Sequence, residues 1–197
     1  MPRPRLEDAP TRLLAAGLAL FARQGCERVN SNAIARAAGL GIGTFYLHFA
    51  NKYALLRALQ LRTLDGLRAA RQAAVAAVGS ESGLEEQVRA SVEAAVAFAA
   101  EHPEAYRVCF GRERTAPAHA GPVVSESTRG IASALAAWQR AGVIEPALDP
   151  ALAARAYLAM ETGMLLWWLE DPGRTAADKL VETLVRGHPA LAAQVRG

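Results

Sequence analysis

An all-α fold is what this sequence predicts, and three observations carry the prediction. Apolar residues recur at three- and four-residue spacing along almost the whole 197-residue chain, on a background rich in alanine. No stretch alternates apolar and polar residues as a half-buried strand would. The periodic stretches are separated by residues that start and stop helices, among them Gly25, Gly39, Gly142, Pro103 and the Asp149-Pro150 pair. Hydrophobic residues make up 52% of the chain, ample for a core. One compact domain, or a small module fused to a larger one, is the expectation at this length.

The first helix is predicted over about Glu7 to Gln24, with Leu13, Leu14, Gly17, Leu20 and Phe21 as its apolar stripe and Gly25 as its stop. Before it, Met1 to Leu6 reads as a tail whose Arg3 and Arg5 could follow a phosphate. Asn30 is a plausible N-cap for a short helix with an Ala33, Ile34, Ala37, Ala38 face. Gly39 suits the left-handed residue that ends it. A second short helix runs from about Ile42 to Phe49, with Phe45 and Phe49 four apart on its buried side. Its other face shows Ile42, Gly43, Thr44, Tyr46, Leu47 and His48. Small, polar and aromatic groups on one exposed helix face, with few acids nearby, suit a major groove, and the pair reads as a helix-turn-helix.

A long helix from Asn51 to about Val78 buries Leu55, Leu56, Leu59, Leu67, Ala70, Ala74 and Val78 and is expected to turn Arg57, Arg62, Arg68 and Arg71 to solvent. Helices then follow over about Leu84 to Glu101, from Pro103, over Val123 to Ala141, over Asp149 to Glu170 and over Thr175 to Gly187. Thr115 to Pro122 is expected to break regular structure. His102 and His188 sit at helix ends, where a partial positive charge is favourable.

Leu13-Leu14-Ala15-Ala16, Leu20-Phe21, Gly25, Ile34-Ala35, Ala38-Gly39-Leu40, Gly43-Thr44-Phe45-Tyr46, His48-Phe49 and Asn51-Lys52-Tyr53-Ala54-Leu55-Leu56 together resemble the TetR family of bacterial transcriptional repressors. The match covers roughly the first 56 residues, in order and without gaps. It departs from the family pattern at Gly17, where alanine is usual, and at Tyr53, where an acid is usual. Gly41 stands where the family has a hydroxyl that caps the recognition helix and touches a phosphate. The resemblance implies a DNA-binding head over residues 1–56 and a helical ligand-binding and dimerisation body over residues 57–197. It implies that Tyr46, His48 and Lys52 hold phosphates, helped by free N–H groups at Asn30, while Ile42, Gly43, Thr44, Tyr46 and Leu47 face base edges. Ile42 and Leu47 favour thymine methyls over bidentate hydrogen bonding.

The charge distribution agrees with a phosphate partner in front. Up to Arg71 there are 11 basic and 4 acidic residues, against 11 and 15 in the remainder. In the body, Phe98, Tyr106, Phe110, Trp138, Met160, Met164 and Trp167 are either core or, as the resemblance implies, in part the walls of a cavity for a small hydrophobic effector. Glu161 and Thr162 interrupt an apolar helix and suggest polar contacts, at the effector or at a subunit contact. The last two long helices carry more apolar residues than one side needs, including Leu152, Tyr157, Leu165, Leu180 and Leu184, as a homodimeric four-helix bundle would require. No metal-ligand spacing, nucleophile elbow, phosphate-binding glycine loop or triad is present, so no cofactor and no enzymatic activity is expected. Cys26 and Cys109 read as buried reduced thiols of a cytoplasmic protein. A homodimeric repressor released from operator DNA by an effector is the leading expectation; a DNA-binding dimer without an effector is the alternative.

Overall fold

The computed structural model describes residues 8–79, 81–111 and 117–195. Among them the chain forms ten α-helices and one short 3-10 turn, with no named strand. The tail from Met1 to Leu6 lies outside the described residues. The chain divides into two compact units, one of Met1–Thr63 with Glu104–Val123, the other of Leu64–Pro103 with Val124–Gly197.

The first unit is built on α1 (Ala9–Gln24), α2 (Ser31–Ala37), α3 (Ile42–His48) and the start of α4 (Lys52–Val78). Its core has Leu13, Phe21, Ile34, Phe45, Leu55 and Leu56 fully buried. Each such side chain contributes about 1.5–3 kcal/mol through removal from water, which is how helices of seven residues hold their shape. Gly25 closes α1 at φ 77° and Gly39 closes α2 at φ 65°, both left-handed positions where a side chain would be strained. Gly17 has a different reason: a Cβ there would lie 2.4 Å from a Leu55 methyl, so the glycine lets α4 lie close on α1. The helix α6 (Pro103–Phe110) belongs largely to this unit, and its Val108 joins the same core.

The second unit comprises the rest of α4 with α5 (Leu84–Glu101), α7 (Pro117–Arg140), α8 (Pro150–Glu170), α9 (Ala177–Arg186) and α10 (Pro189–Ala192). Asp149 caps α8 as its sequence position suggests, accepting from the Ala151 and Leu152 amides at 2.9 and 3.1 Å. Buried Val88, Val92, Ala95 and Ala99 of α5, Leu165, Trp168 and Leu169 of α8, and Leu180, Leu184 and Val185 of α9 form the interior. The tail returns to the turn after α7 through an antiparallel bridge between Ile144 and Gln194.

One expected break is absent from Pro117 onward: α7 begins there and continues through Pro122. An interior proline forfeits one i→i−4 bond and crowds the carbonyl four residues back, so the helix continues here against a local penalty, with helix-favouring alanines at 118 and 120 beside it. Thr115 and Ala116 lie outside the described residues. The final long helix is also shorter than expected, because Asp171 caps a 3-10 turn at Pro172–Arg174 and α9 starts only at Ala177.

Candidate nucleic-acid interface and the body cluster

The sequence Ser31 to Phe49 becomes two short helices because each end has a chemical reason. The Asn30 side chain accepts from the Ala33 amide at 2.9 Å and opens α2. At the other end Arg12 reaches from α1 to donate to the Ala38 carbonyl at 2.5 Å. α3 has no side-chain cap, since its N-cap is Gly41. Phe45 anchors it: fully buried, with the Phe49 ring 6.0 Å away and the Tyr46 ring edge-on at 5.4 Å. Everything else on α3 faces outward. Ile42 is 38%, Tyr46 57% and Leu47 76% exposed, Gly43 and His48 are exposed, and Thr44 is half-buried. A seven-residue helix that leaves three large apolar side chains in water stabilises nothing by doing so, and the result is an apolar patch on its open face.

Lys52 is held differently from the expected phosphate ligand. Its ammonium donates to the Cys26 and Glu27 carbonyls at 2.9 and 3.0 Å, tying the start of α4 to the loop after α1. Two of its three protons are thereby engaged, leaving one for a phosphate. Asn51 opens α4, accepting from the Tyr53 and Ala54 amides. The Tyr53 hydroxyl donates to Glu27 at 3.3 Å, so the tyrosine at the family's acidic position still makes a polar link to the same loop.

The body residues singled out from sequence do not form one group. Tyr106 and Phe110 are buried on α6 with rings 4.6 Å apart, in the first unit. Phe98 belongs to the second, where its ring lies over Gly66, whose missing side chain makes the room, and meets His102 edge-on at 4.7 Å. Trp167 is 44% exposed with the Arg174 guanidinium 4.9 Å over its ring. Met164 is half-buried on the same helix. Among the described residues, Trp138, Met160 and Glu161 are linked through Tyr157, Gly187 and His188.

Glu161, 1% exposed, receives the Arg71 guanidinium at 2.6 Å and the Tyr157 hydroxyl at 3.3 Å. Arg71 also donates to the Ser91 hydroxyl at 3.2 Å. His188 meets Tyr157 edge-on at 4.5 Å and lies 6.2 Å from Trp138, and Met160 packs on the neighbouring Gly187. The Thr162 hydroxyl is buried without a hydrogen-bond partner among the described residues.

Two residues of this cluster correct the sequence reading. Arg71 is not on the solvated face of α4; the buried carboxylate of Glu161, ninety residues on, turns it inward. Arg57 is also partly buried, with one guanidinium nitrogen sheltered. His188 is not a helix-end cation. Its Nδ1 accepts from the Ala190 amide as the N-cap of α10, which requires the neutral ring, and burial together with the Arg71 charge pushes its pKa down to about 4. Arg71 was not accessible to sequence reasoning, because Glu161 is ninety residues on; the capping role of His188 is local, but the burial that keeps its ring neutral comes from remote Tyr157 and Arg71.

A family model described as bacterial regulatory proteins, tetR family, matches residues 13–59, and a second, described as a tetracyclin repressor-like C-terminal domain, matches residues 81–187. No curated protein sequence gives a significant match. Among solved structures, a tetR family transcription regulator from Shewanella sp. PV-4 superposes with a TM-score of 0.77 at 21% identity, covering 95% of this chain and 99% of that one. NalD, the secondary repressor of the MexAB-OprM multidrug efflux pump in Pseudomonas aeruginosa, gives 0.73 at 22% identity, with 97% and 98% covered. A SmeT–triclosan complex gives 0.72 at 19% identity, with 95% and 92% covered. The two family matches span the head and most of the body, on an all-helical fold that the neighbours share over nearly their whole length. The chain therefore belongs to the TetR family, and is a DNA-binding transcriptional regulator rather than an enzyme.

Proposed function

We propose that the protein is a cytoplasmic homodimeric repressor that reads a pseudo-palindromic operator through α3 and leaves it when a small, largely hydrophobic molecule enters the body. The exposed face of α3 carries this reading. Ile42, Leu47 and the Tyr46 ring offer apolar contacts suited to thymine methyls, and Thr44 offers a hydroxyl to a base edge. Tyr46, His48, Lys52 and the Asn30 end of α2 flank that face as phosphate contacts. One such head has few base contacts, and two heads on successive half-sites, roughly 34–36 Å apart, supply the missing specificity.

The exposed stripe of α8 supports the dimer. Leu152 is 70% exposed, and Ala156, Ala159, Gly163 and Trp167 follow it along the open side of the helix. Small residues there permit close approach of a second helix. Tyr157, Leu165, Leu180 and Leu184, which the sequence pattern put in the same role, are instead buried within the chain's own interior, and the outward face of α9 is polar, with Asp178, Lys179, Thr183 and Arg186 at the surface. An effector site near Trp138, Met160 and Glu161 is supported by the charged and aromatic groups gathered there, by the SmeT–triclosan complex, and by NalD, a repressor of a multidrug efflux pump, among the structural neighbours. The remaining candidates, Phe98, Tyr106, Phe110, Met164 and Trp167, have weaker support because they lie on separate surfaces or in the other unit. The alternative of a dimer without effector predicts that no small molecule changes operator affinity.

Gel-shift titration at several salt concentrations tests the DNA assignment. Thr44→Ala is expected to relax sequence preference at constant salt dependence. Lys52→Ala is expected to weaken all sequences and to lower the salt slope by about one unit for each phosphate that the lysine neutralises. An unaltered slope for Lys52→Ala, with the fold intact by circular dichroism, would show that this lysine serves only the Cys26 and Glu27 carbonyls.

A further inference from the structure

A groove of about 350 Å³ runs along the second unit where α5, the end of α8 and the start of α9 meet. It contains none of the residues assigned above to DNA or effector. Its floor is apolar: Val96, Ala97 and Ala100 from α5, Val181 from α9 and Trp168 from α8. Its walls are charged, and the charge is unbalanced. At one end the Arg89 guanidinium is engaged by Glu182 at 3.0 Å and by Glu85 at 3.4 Å. Glu182 in turn accepts from Arg186 at 2.8 Å, and these guanidinium hydrogen bonds hold its carboxyl below the usual range. That network occupies Arg89, the cation among the described residues that line the groove. Glu93 on the α5 wall and Asp178 on the α9 wall have no basic side chain within ion-pairing distance among the described residues. Both are exposed.

We infer that this groove is a second ligand site, selective for a small organic cation with an apolar body. The volume suits a molecule of modest size, the floor removes apolar surface from water, and the two carboxylates attract positive charge from opposite walls. An organic anion would meet those carboxylates and find Arg89 already committed. A neutral ligand would gain the floor but not the walls. A quaternary ammonium is favoured further by its weak hydration, which makes it easy to bring against apolar surface. The site does not depend on the DNA reading, since it involves no residue of the first unit.

Calorimetric titration of the full chain with benzyltrimethylammonium chloride, and in parallel with benzyl alcohol and sodium benzoate, tests the inference. The cation is expected to bind once per chain, more tightly than either comparator, and to weaken as salt is raised. Glu93→Gln combined with Asp178→Asn is expected to reduce its affinity by about tenfold, as removal of two partly exposed charges would. Asp178 also lies in the first turn of α9, so Glu93→Gln alone, on the open face of α5, is the second variant if the double one fails to fold. Val181→Trp, which fills the floor, is expected to abolish binding. Equal affinity for benzoate, or cation binding unchanged in Glu93→Gln and Val181→Trp, would overturn the assignment. So would a loss of cation binding as the chain dimerises with rising concentration, because the groove would then be covered by a second copy.

Discussion

Gly41 occupies the N-cap of α3 with ordinary extended backbone, φ −71° and ψ 151°, and a Cβ added there would meet no atom within 4 Å. A hydroxyl is therefore absent without any steric reason. Gly41→Ser is expected to raise stability by a few tenths of a kcal/mol, about what glycine forfeits at an N-cap. It should also tighten operator binding through one added phosphate contact, without changing sequence preference. Thermal melts and gel shifts read the two effects separately, and a lower melting temperature would show that the cap is not free to form. His188 makes a different prediction. Its folded pKa of about 4 lies below the ordinary 6.5, so the unfolded chain binds the proton more readily. This contribution to stability is complete above pH 6.5 and is lost as the pH falls toward 4, amounting to about 3 kcal/mol over that window. Melts of the wild type across that range should fall steeply. His188→Asn keeps a side-chain acceptor for the Ala190 amide but does not titrate, so its profile should be flatter. Equal slopes would mean that the ring is protonated in the fold.

At the level of elements, α4 and α8 show why some of this molecule was legible in sequence and some was not. Local signals were read correctly: the caps at Asn30 and Asp149, the left-handed Gly39, and the buried Phe45 with its exposed neighbours all depend on residues within a few positions. α8 is apolar nearly all round, so its periodicity could not say which side faces the chain's own interior. Four of the five residues assigned to a subunit contact proved to be core. Arg71 looked like any solvated arginine, because its partner lies on another helix and no periodicity connects them. The same holds for the α6 aromatics, which look like a cavity wall in sequence and pack within the first unit. The Arg71–Glu161 pair ties the distal half of α4 to α8 and offers a direct test of that link. Glu161→Ala leaves a largely buried guanidinium without its carboxylate and is expected to cost about 3 kcal/mol, near the lower end for broken buried pairs because Arg71 keeps some exposure. Removing both charges, as Arg71→Met with Glu161→Leu, should recover much of that stability. Denaturant midpoints for the single and double variants measure it, and a costless Glu161→Ala would mean that the pair contributes little to the fold.

For the molecule as a whole, release from an operator would couple α4 to the exposed stripe of α8. α4 runs for 27 residues, about 40 Å, and contributes residues to both units. Its first residues are next to the proposed DNA contacts and its last third is held by Glu161 of α8. A ligand can release DNA through such a helix only by preferring one arrangement of two heads over another, a difference worth about 1–3 kcal/mol in most coupled systems. Two heads must first be joined, and the stripe from Leu152 through Ala156, Ala159 and Gly163 is where α8 exposes small and apolar side chains. Ala159→Glu places a charge in the middle of that stripe, on a position already open to water in the single chain. The protomer therefore has no reason to unfold, whereas two such charges facing each other across a two-fold axis would repel in a desolvated setting. Light scattering at micromolar concentration should show the wild type as a dimer and the variant as a monomer, with similar helical content. Operator affinity should then fall by orders of magnitude, since each half-site is held alone and the second head no longer binds at high effective concentration. Half-site binding should keep its dependence on Thr44, because nothing in α3 has changed. A variant that stays dimeric and binds the full operator would move the subunit contact off this face of α8.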